Sequence, residues 1–145
     1  FCDRRRPHSG AVGECMSIDL DALLEQAQAA MEKAYAPYSG FRVGAALLCA
    51  DGSVVTGCNV ENSSYSLTIC AEHNALFAAV NQGKPDFLAI AIYLDSDERF
   101  PPCGACRQVL AEFSPRLQIL YANRLGSISS DLESLLPQAF SLREE

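Results

Sequence analysis

Positive charge is scarce in this chain: 11 Lys and Arg face 18 Asp and Glu, leaving a formal charge of -7. With few places where basic residues cluster, such a surface repels a phosphate backbone, so no nucleic-acid partner is expected. Long apolar runs are missing too. None approaches the ~20 residues of a membrane-spanning helix, and no apolar core with a small-residue cleavage site marks an export signal. The expectation is a soluble, cytoplasmic protein that makes no membrane contact. Internal repeats and low-complexity linkers are also absent. At 145 residues and 49% hydrophobic content, the chain has the size of one globular domain able to bury its own core.

Cysteine, by contrast, is plentiful. There are seven, but the odd count, the single CxxC and the lack of an export signal point to reduced thiols rather than a disulfide framework. Cys49 and Cys58 stand in runs of small and apolar residues and read as small core side chains. Cys2 and Cys15 fall in the stretch Phe1–Cys15, which starts without methionine, carries Arg4-Arg5-Arg6 and Pro7, and shows no periodicity. That stretch, residues 1–15, is read as a tag or leader remnant, and the domain is taken as 16–145.

Between Asp19 and Tyr35, the apolar positions Leu20, Leu23, Leu24, Ala27, Met31 and Ala34 recur at three- and four-residue intervals, one stripe of a helix that Pro37 ends. Phe41 to Ala50 and Val54 to Val60 are β-rich and joined by Asp51-Gly52, a hairpin signal. A second helix is predicted from Cys70 to about Gln82, stopped by Gly83 and Pro85. Phe87 to Leu94 reads as a buried strand, Cys103 to just before Pro115 as a third helix opened by Pro102, and Leu117 to Tyr121 as a short strand. A last short helix is expected from about Ser130 to Leu136, capped from Ser129 to Asp131 and stopped by Pro137. A helix, a hairpin and then alternating helices and strands give an α/β fold, a sandwich covered on both faces of a mixed sheet.

The chemistry is concentrated in Cys70-Ala71-Glu72 and Pro102-Cys103-Gly104-Ala105-Cys106. Cys103 and Cys106, three apart at a helix start, can reach one metal, and Cys70 starts another helix. Three thiolates make an incomplete tetrahedral zinc site whose fourth position stays open to water. Two converging helix N-termini favour thiolate over thiol. Glu72 projects from the same end as Cys70, where a carboxylate can move the proton of a metal-activated water. Hydrolysis is the expected reaction. A CxxC also serves as a redox pair or as half of a four-ligand structural zinc site. A redox pair leaves Cys70 and Glu72 without a role, and the remaining candidates for a fourth ligand, Cys49, Cys58 and His73, lack a matching pair spacing.

These motifs resemble those of the small homotetrameric zinc-dependent cytidine deaminases of pyrimidine salvage. The likeness runs from Met16 to Phe140. It includes the two cysteine motifs, with Arg107-Gln108 after the second, as well as Ala36-Pro37-Tyr38-Ser39-Gly40-Phe41-Arg42-Val43-Gly44-Ala45-Ala46-Leu47, Gly57-Cys58-Asn59-Val60-Glu61-Asn62 and Leu135-Leu136-Pro137-Gln138-Ala139-Phe140. The resemblance implies a three-layer α/β/α sandwich with a central sheet of about five strands. It implies one Zn2+ per chain on Cys70, Cys103 and Cys106. It further implies deamination of cytidine and deoxycytidine, with Glu72 passing a water proton to N3 of the cytosine and a second proton to the departing ammonia.

For substrate binding, the resemblance implicates Phe41 against the pyrimidine face, Asn59 and Glu61 at the ribose hydroxyls, and Ala71. The residues by themselves read otherwise, Phe41 as core and Asn59 and Glu61 as turn residues. A homotetramer with pockets completed across subunits would make Tyr65 and Phe140 contributors to a neighbour's site and Tyr38 an interface aromatic. His73 stands where the family usually has arginine. It is expected to donate to a metal-bound sulfur; the alternative is that it fills space at a subunit interface while Arg107 takes over some of the charge balance. Rival readings are a deaminase of a cytosine-containing antibiotic, a nucleotide deaminase and a non-catalytic zinc or redox module. The Asn59-Val60-Glu61-Asn62 segment favours a nucleoside.

Overall fold

The computed structural model describes residues 18–143. The expected leader, residues 1–15, lies outside that range. Helix α1 covers Leu20–Met31, with Asp19 as its N-cap accepting from the Ala22 N–H at 3.0 Å. Its Leu23, Ala27, Ala30 and Met31 form the buried stripe. The helix ends four residues before the Tyr35 that the periodicity allowed, because the sheet side of the molecule takes over the backbone there. Tyr35 donates to the Asn59 carbonyl at 3.0 Å and accepts from the Glu61 N–H at 2.8 Å.

Strands β1 (Val43–Cys49) and β2 (Val54–Cys58) form the expected antiparallel hairpin, with Gly52 at φ +87° in its turn. Helix α2 (Ala71–Asn81) is closed by Gly83 at φ +77°. Strand β3 is Phe87–Leu94, helix α3 Gly104–Phe113 and strand β4 Gln118–Asn123. Strand β5 (Gly126–Asp131) and the four-residue helix α4 (Leu132–Leu135) follow. The sheet order is β2-β1-β3-β4-β5, with β3 and β4 parallel and every other pair antiparallel.

Strand β5 is the element that apolar patterning did not announce. Its sequence, Gly-Ser-Ile-Ser-Ser-Asp, lies along an exposed edge, where no face is buried enough to leave an apolar alternation. Ser130 and Asp131, expected inside the last helix, belong to this strand. The helix starts one residue later, with the Asp131 carboxylate capping the Ser134 N–H at 2.8 Å.

The fold is the expected three-layer α/β/α sandwich. On one face, α1 packs Leu23, Ala27 and Met31 against Ala46, Ala91, Leu120 and their neighbours. On the other, α2, α3 and α4 cover Ala45, Leu47, Ile90, Ile92 and Ile119. Both faces of β1 are buried, and two glycines set how close the helices come. A Cβ at Gly44 would strike the Ala27 carbonyl and the Met31 N–H of α1. At Gly57, it would lie 2.5 Å from the Ala75 nitrogen and 2.6 Å from the Ala71 oxygen of α2. Among the described residues, no helix is long and apolar enough to cross a membrane.

Candidate functional site

Two helices begin at cysteines and point those ends at one another. Cys70 is the N-cap of α2, and Cys103 is the N-cap of α3, its sulfur accepting from the Cys106 N–H at 3.4 Å. Cys103 Sγ lies 3.9 Å from Cys70 Sγ and 3.2 Å from Cys106 Sγ. Thus the three cysteines, 33 and 3 positions apart along the chain, meet in space. Gly57 permits this on one side by letting the first turns of α2 lie against β2. On the other side, Arg107 donates from Nε to the Pro102 carbonyl and from Nη1 to the Leu135 carbonyl, both at 2.8 Å. Its guanidinium fastens the segment before Cys103 to α4, so the expected charge-balancing side chain holds backbone here.

The electrostatics of the cluster call for a cation. A hydrogen bond from Cys106 holds the Cys70 thiol down at about 7, while that same interaction and burial push the Cys106 thiol up. Three sulfurs in mutual contact cannot all ionise alone, and a divalent ion at their centre would relieve the competition. Glu72 joins them from the first turn of α2, with Oε2 3.6 Å from Cys106 Sγ. Only 6% of this residue is exposed, and burial raises its carboxyl pKa. His73 sets Nδ1 3.2 Å from Cys106 Sγ, rests edge-on against Phe77 at 5.5 Å between ring centroids, and has its pKa lowered by burial. Donor atoms of Cys70, His73 and Cys106 lie within 4.8 Å of one another. The imidazole is therefore a further nitrogen donor beside the three sulfurs. This donor set suits zinc, which takes thiolate and imidazole ligands.

A cavity of about 250 Å³ opens over the cluster, with Cys70, Ala71, Glu72 and Cys103 at its base. Phe41 and Asn59 line it as well. Asn59 is 7% exposed. Its Nδ2 donates to the Phe41 carbonyl at 2.7 Å, and its Oδ1 accepts from the Val43 N–H at 2.9 Å. Glu61 turns its carboxylate to the loop before Phe41, accepting from the backbone N–H groups of Tyr38 and Ser39 and from the Ser39 hydroxyl. The hydrogen bond from that hydroxyl holds the Glu61 carboxyl below its usual range. Tyr65 and Phe140 are 60% and 69% exposed and do not line their own chain's cavity. Tyr65 faces Tyr38 at 6.3 Å, and the Phe140 carbonyl accepts from Gln108 Nε2.

Phe100 is a lining residue that sequence reasoning passed over. Its ring meets that of Phe41 edge-on at 6.2 Å, so two aromatics flank the cavity. The available signal was its place just ahead of Pro101-Pro102-Cys103. A larger depression of about 710 Å³, lined by Arg116, Asp131, Glu133 and several serines, lies away from the thiols.

The family model described as the cytidine and deoxycytidylate deaminase zinc-binding region matches residues 17–122. This chain belongs to that family. The cytidine deaminase of Halalkalibacterium halodurans is 48% identical over 132 residues, covering 88% of this chain and 98% of that relative. The crystal structure of cytidine deaminase from Burkholderia pseudomallei superposes with a TM-score of 0.81 at 48% identity, covering 85% of this chain and all of that one. The blasticidin-S deaminase of Bacillus cereus is more distant, 28% identical over 81% of this chain and 91% of its own length. Within the cytidine deaminase family, this chain is a zinc-dependent hydrolytic deaminase, and its donor cluster fits one zinc ion per chain. The antibiotic alternative is not favoured.

Proposed function

We propose that this protein converts cytidine and deoxycytidine to uridine and deoxyuridine with release of ammonia, a step of pyrimidine salvage. The observation that carries the proposal is the buried Glu72 carboxyl inside a cavity whose base is formed by thiols. Cys70, Cys103 and Cys106 would hold the zinc ion, an assignment supported by sulfur separations of 3.2 and 3.9 Å. When bound, zinc polarises a water molecule so that it gives up a proton near neutral pH. Glu72 accepts that proton and hands it to N3 of the base, then moves another to the leaving amino group. Burial suits it to both halves of this task, since a raised pKa brings its acid and base forms closer in energy near neutral pH.

Phe41 offers a ring face to the pyrimidine, with Ala71 beneath the base. Asn59 keeps one amide hydrogen and Oδ1 lone-pair capacity for a ribose hydroxyl, and Glu61 supplies the carboxylate on the sugar side. His73 would steady the Cys106 sulfur, and Arg107 would keep Cys103 in place through the Pro102 carbonyl. Assembly as a homotetramer is supported by the exposed Tyr38, Tyr65, Phe77 and Phe140. Tyr65 and Phe140 would then complete a neighbour's pocket. A cytoplasmic location is supported by the three contacting cysteines being free thiols, the form that persists in a reducing compartment.

The test is Glu72→Gln. The amide keeps the shape but cannot take up and release a proton, so the variant should retain fold and zinc while turnover falls by at least about 10²–10⁴-fold. Activity within about tenfold of the parent would remove Glu72 from proton transfer.

A further inference from the structure

Ser39 lies in the exposed loop between α1 and β1, and no step above uses it. Its hydroxyl has one hydrogen to give and lone pairs to receive, and both capacities are engaged. It donates to Glu61 Oε2 at 2.5 Å and accepts from the Phe41 N–H at 3.0 Å. Gly40, between the two, adopts φ +73°, a conformation that a glycine enters without steric penalty and that lets the chain turn back on Ser39. Meanwhile the Phe41 carbonyl is taken by Asn59 Nδ2 at 2.7 Å. Both polar groups of the Phe41 backbone are thus secured by side chains of the 59–61 segment, the carbonyl directly and the N–H through Ser39.

We propose that Ser39 is a positioning residue whose hydroxyl couples the Glu61 carboxylate to the Phe41 backbone, so that the sugar-side acid and the ring facing the base are set as one unit. The inference rests on the cytidine reading above. Without the hydroxyl, Glu61 keeps its two backbone donors, Tyr38 and Ser39 N–H, but Phe41 loses its link to them. The Phe41 carbonyl stays on Asn59, but its N–H is released and the ring is aimed at the cavity less tightly. Because Ser39 is exposed, truncating it leaves no hole in the core.

The experiment compares the parent with Ser39→Ala and Ser39→Thr on cytidine and 3′-deoxycytidine, alongside hydrogen exchange at the Phe41 amide. Loss of a hydrogen bond to a charged group should raise KM for cytidine about tenfold in S39A with kcat within about threefold, the pattern of lost uniform binding. S39T, which keeps the hydroxyl, should recover most of this. The preference for cytidine over 3′-deoxycytidine should narrow in S39A, and Phe41 amide protection should drop in S39A but not in S39T. The proposal is overturned if S39A matches the parent, if both variants are equally impaired, or if kcat alone falls. A parent with no cytidine turnover overturns the functional reading and the substrate role with it. The amide exchange still reports separately whether Ser39 holds Phe41.

Discussion

At Cys106, four groups compete for one sulfur's surroundings: Cys103 Sγ at 3.2 Å, His73 Nδ1 at 3.2 Å, Glu72 Oε2 at 3.6 Å and the Cys70 thiol. Two donor triads can be drawn from them, one with Cys103 and one with His73. The placement of Cys103 at the N-cap of α3, with its Sγ 3.9 Å from Cys70 Sγ and 3.2 Å from Cys106 Sγ, favours the all-sulfur set. Cys103→Ala should therefore lose most of its zinc, whereas His73→Gln should keep about one zinc per chain with reduced activity. Metal analysis of the two purified variants checks this. The reverse pattern would make His73 the third ligand. Legibility at this scale was uneven. Cys70, Glu72, Cys103 and Cys106 could be read because each belongs to a helix start with a fixed local geometry. Phe100 could not, since its contact with Phe41 joins positions 59 apart that only the folded loop brings together. The partner of Arg107, the Leu135 carbonyl, was hidden for the same reason.

Among the elements, α2 carries Ala71, Glu72 and His73, with Cys70 at its N-cap, and owes its position to Gly57. A Cβ there would overlap the helix backbone at Ala71 and Ala75, immediately beside Cys70 and Glu72. Gly44 faces α1 in an equivalent way on the opposite side of the sheet, where no site residue lies. Gly44→Ala and Gly57→Ala should each lower stability by about 3 kcal/mol, since neither backbone can yield as a flexible side chain would. Only Gly57→Ala should also reduce zinc content at a temperature where both variants remain folded. Thermal denaturation together with metal analysis separates the two effects. Equal zinc retention would detach the position of α2 from the site. The elements read best from sequence were those with a buried face, as β3 shows by matching its apolar run from Phe87 to Leu94. The end of α1 was settled by pairing with distant backbone and the polar edge strand β5 by its hairpin with β4, and periodicity registers neither.

For the whole molecule, the exposed aromatics divide into those that belong to this chain's cavity and those that do not. Phe41 and Phe100 flank it, while Tyr65 and Phe140 stand elsewhere. If Phe140 completes a neighbouring pocket, Phe140→Ala should raise KM or weaken assembly while leaving the stability of the chain nearly unchanged, as its side chain is mostly in solvent. Sedimentation and steady-state kinetics together decide this, and unchanged values in both would remove Phe140 from the site. In the proposed reaction, this fold would bring a zinc-activated water and the Glu72 carboxyl to a cytosine ring. The most direct measurement is ammonia release from cytidine by the protein as purified, after zinc removal, and after zinc is restored. One ammonia should form per uridine, with activity lost on zinc removal and regained at about one zinc per chain. Zinc-loaded protein that releases no ammonia from cytidine, or a rate indifferent to zinc, would contradict the proposed reaction.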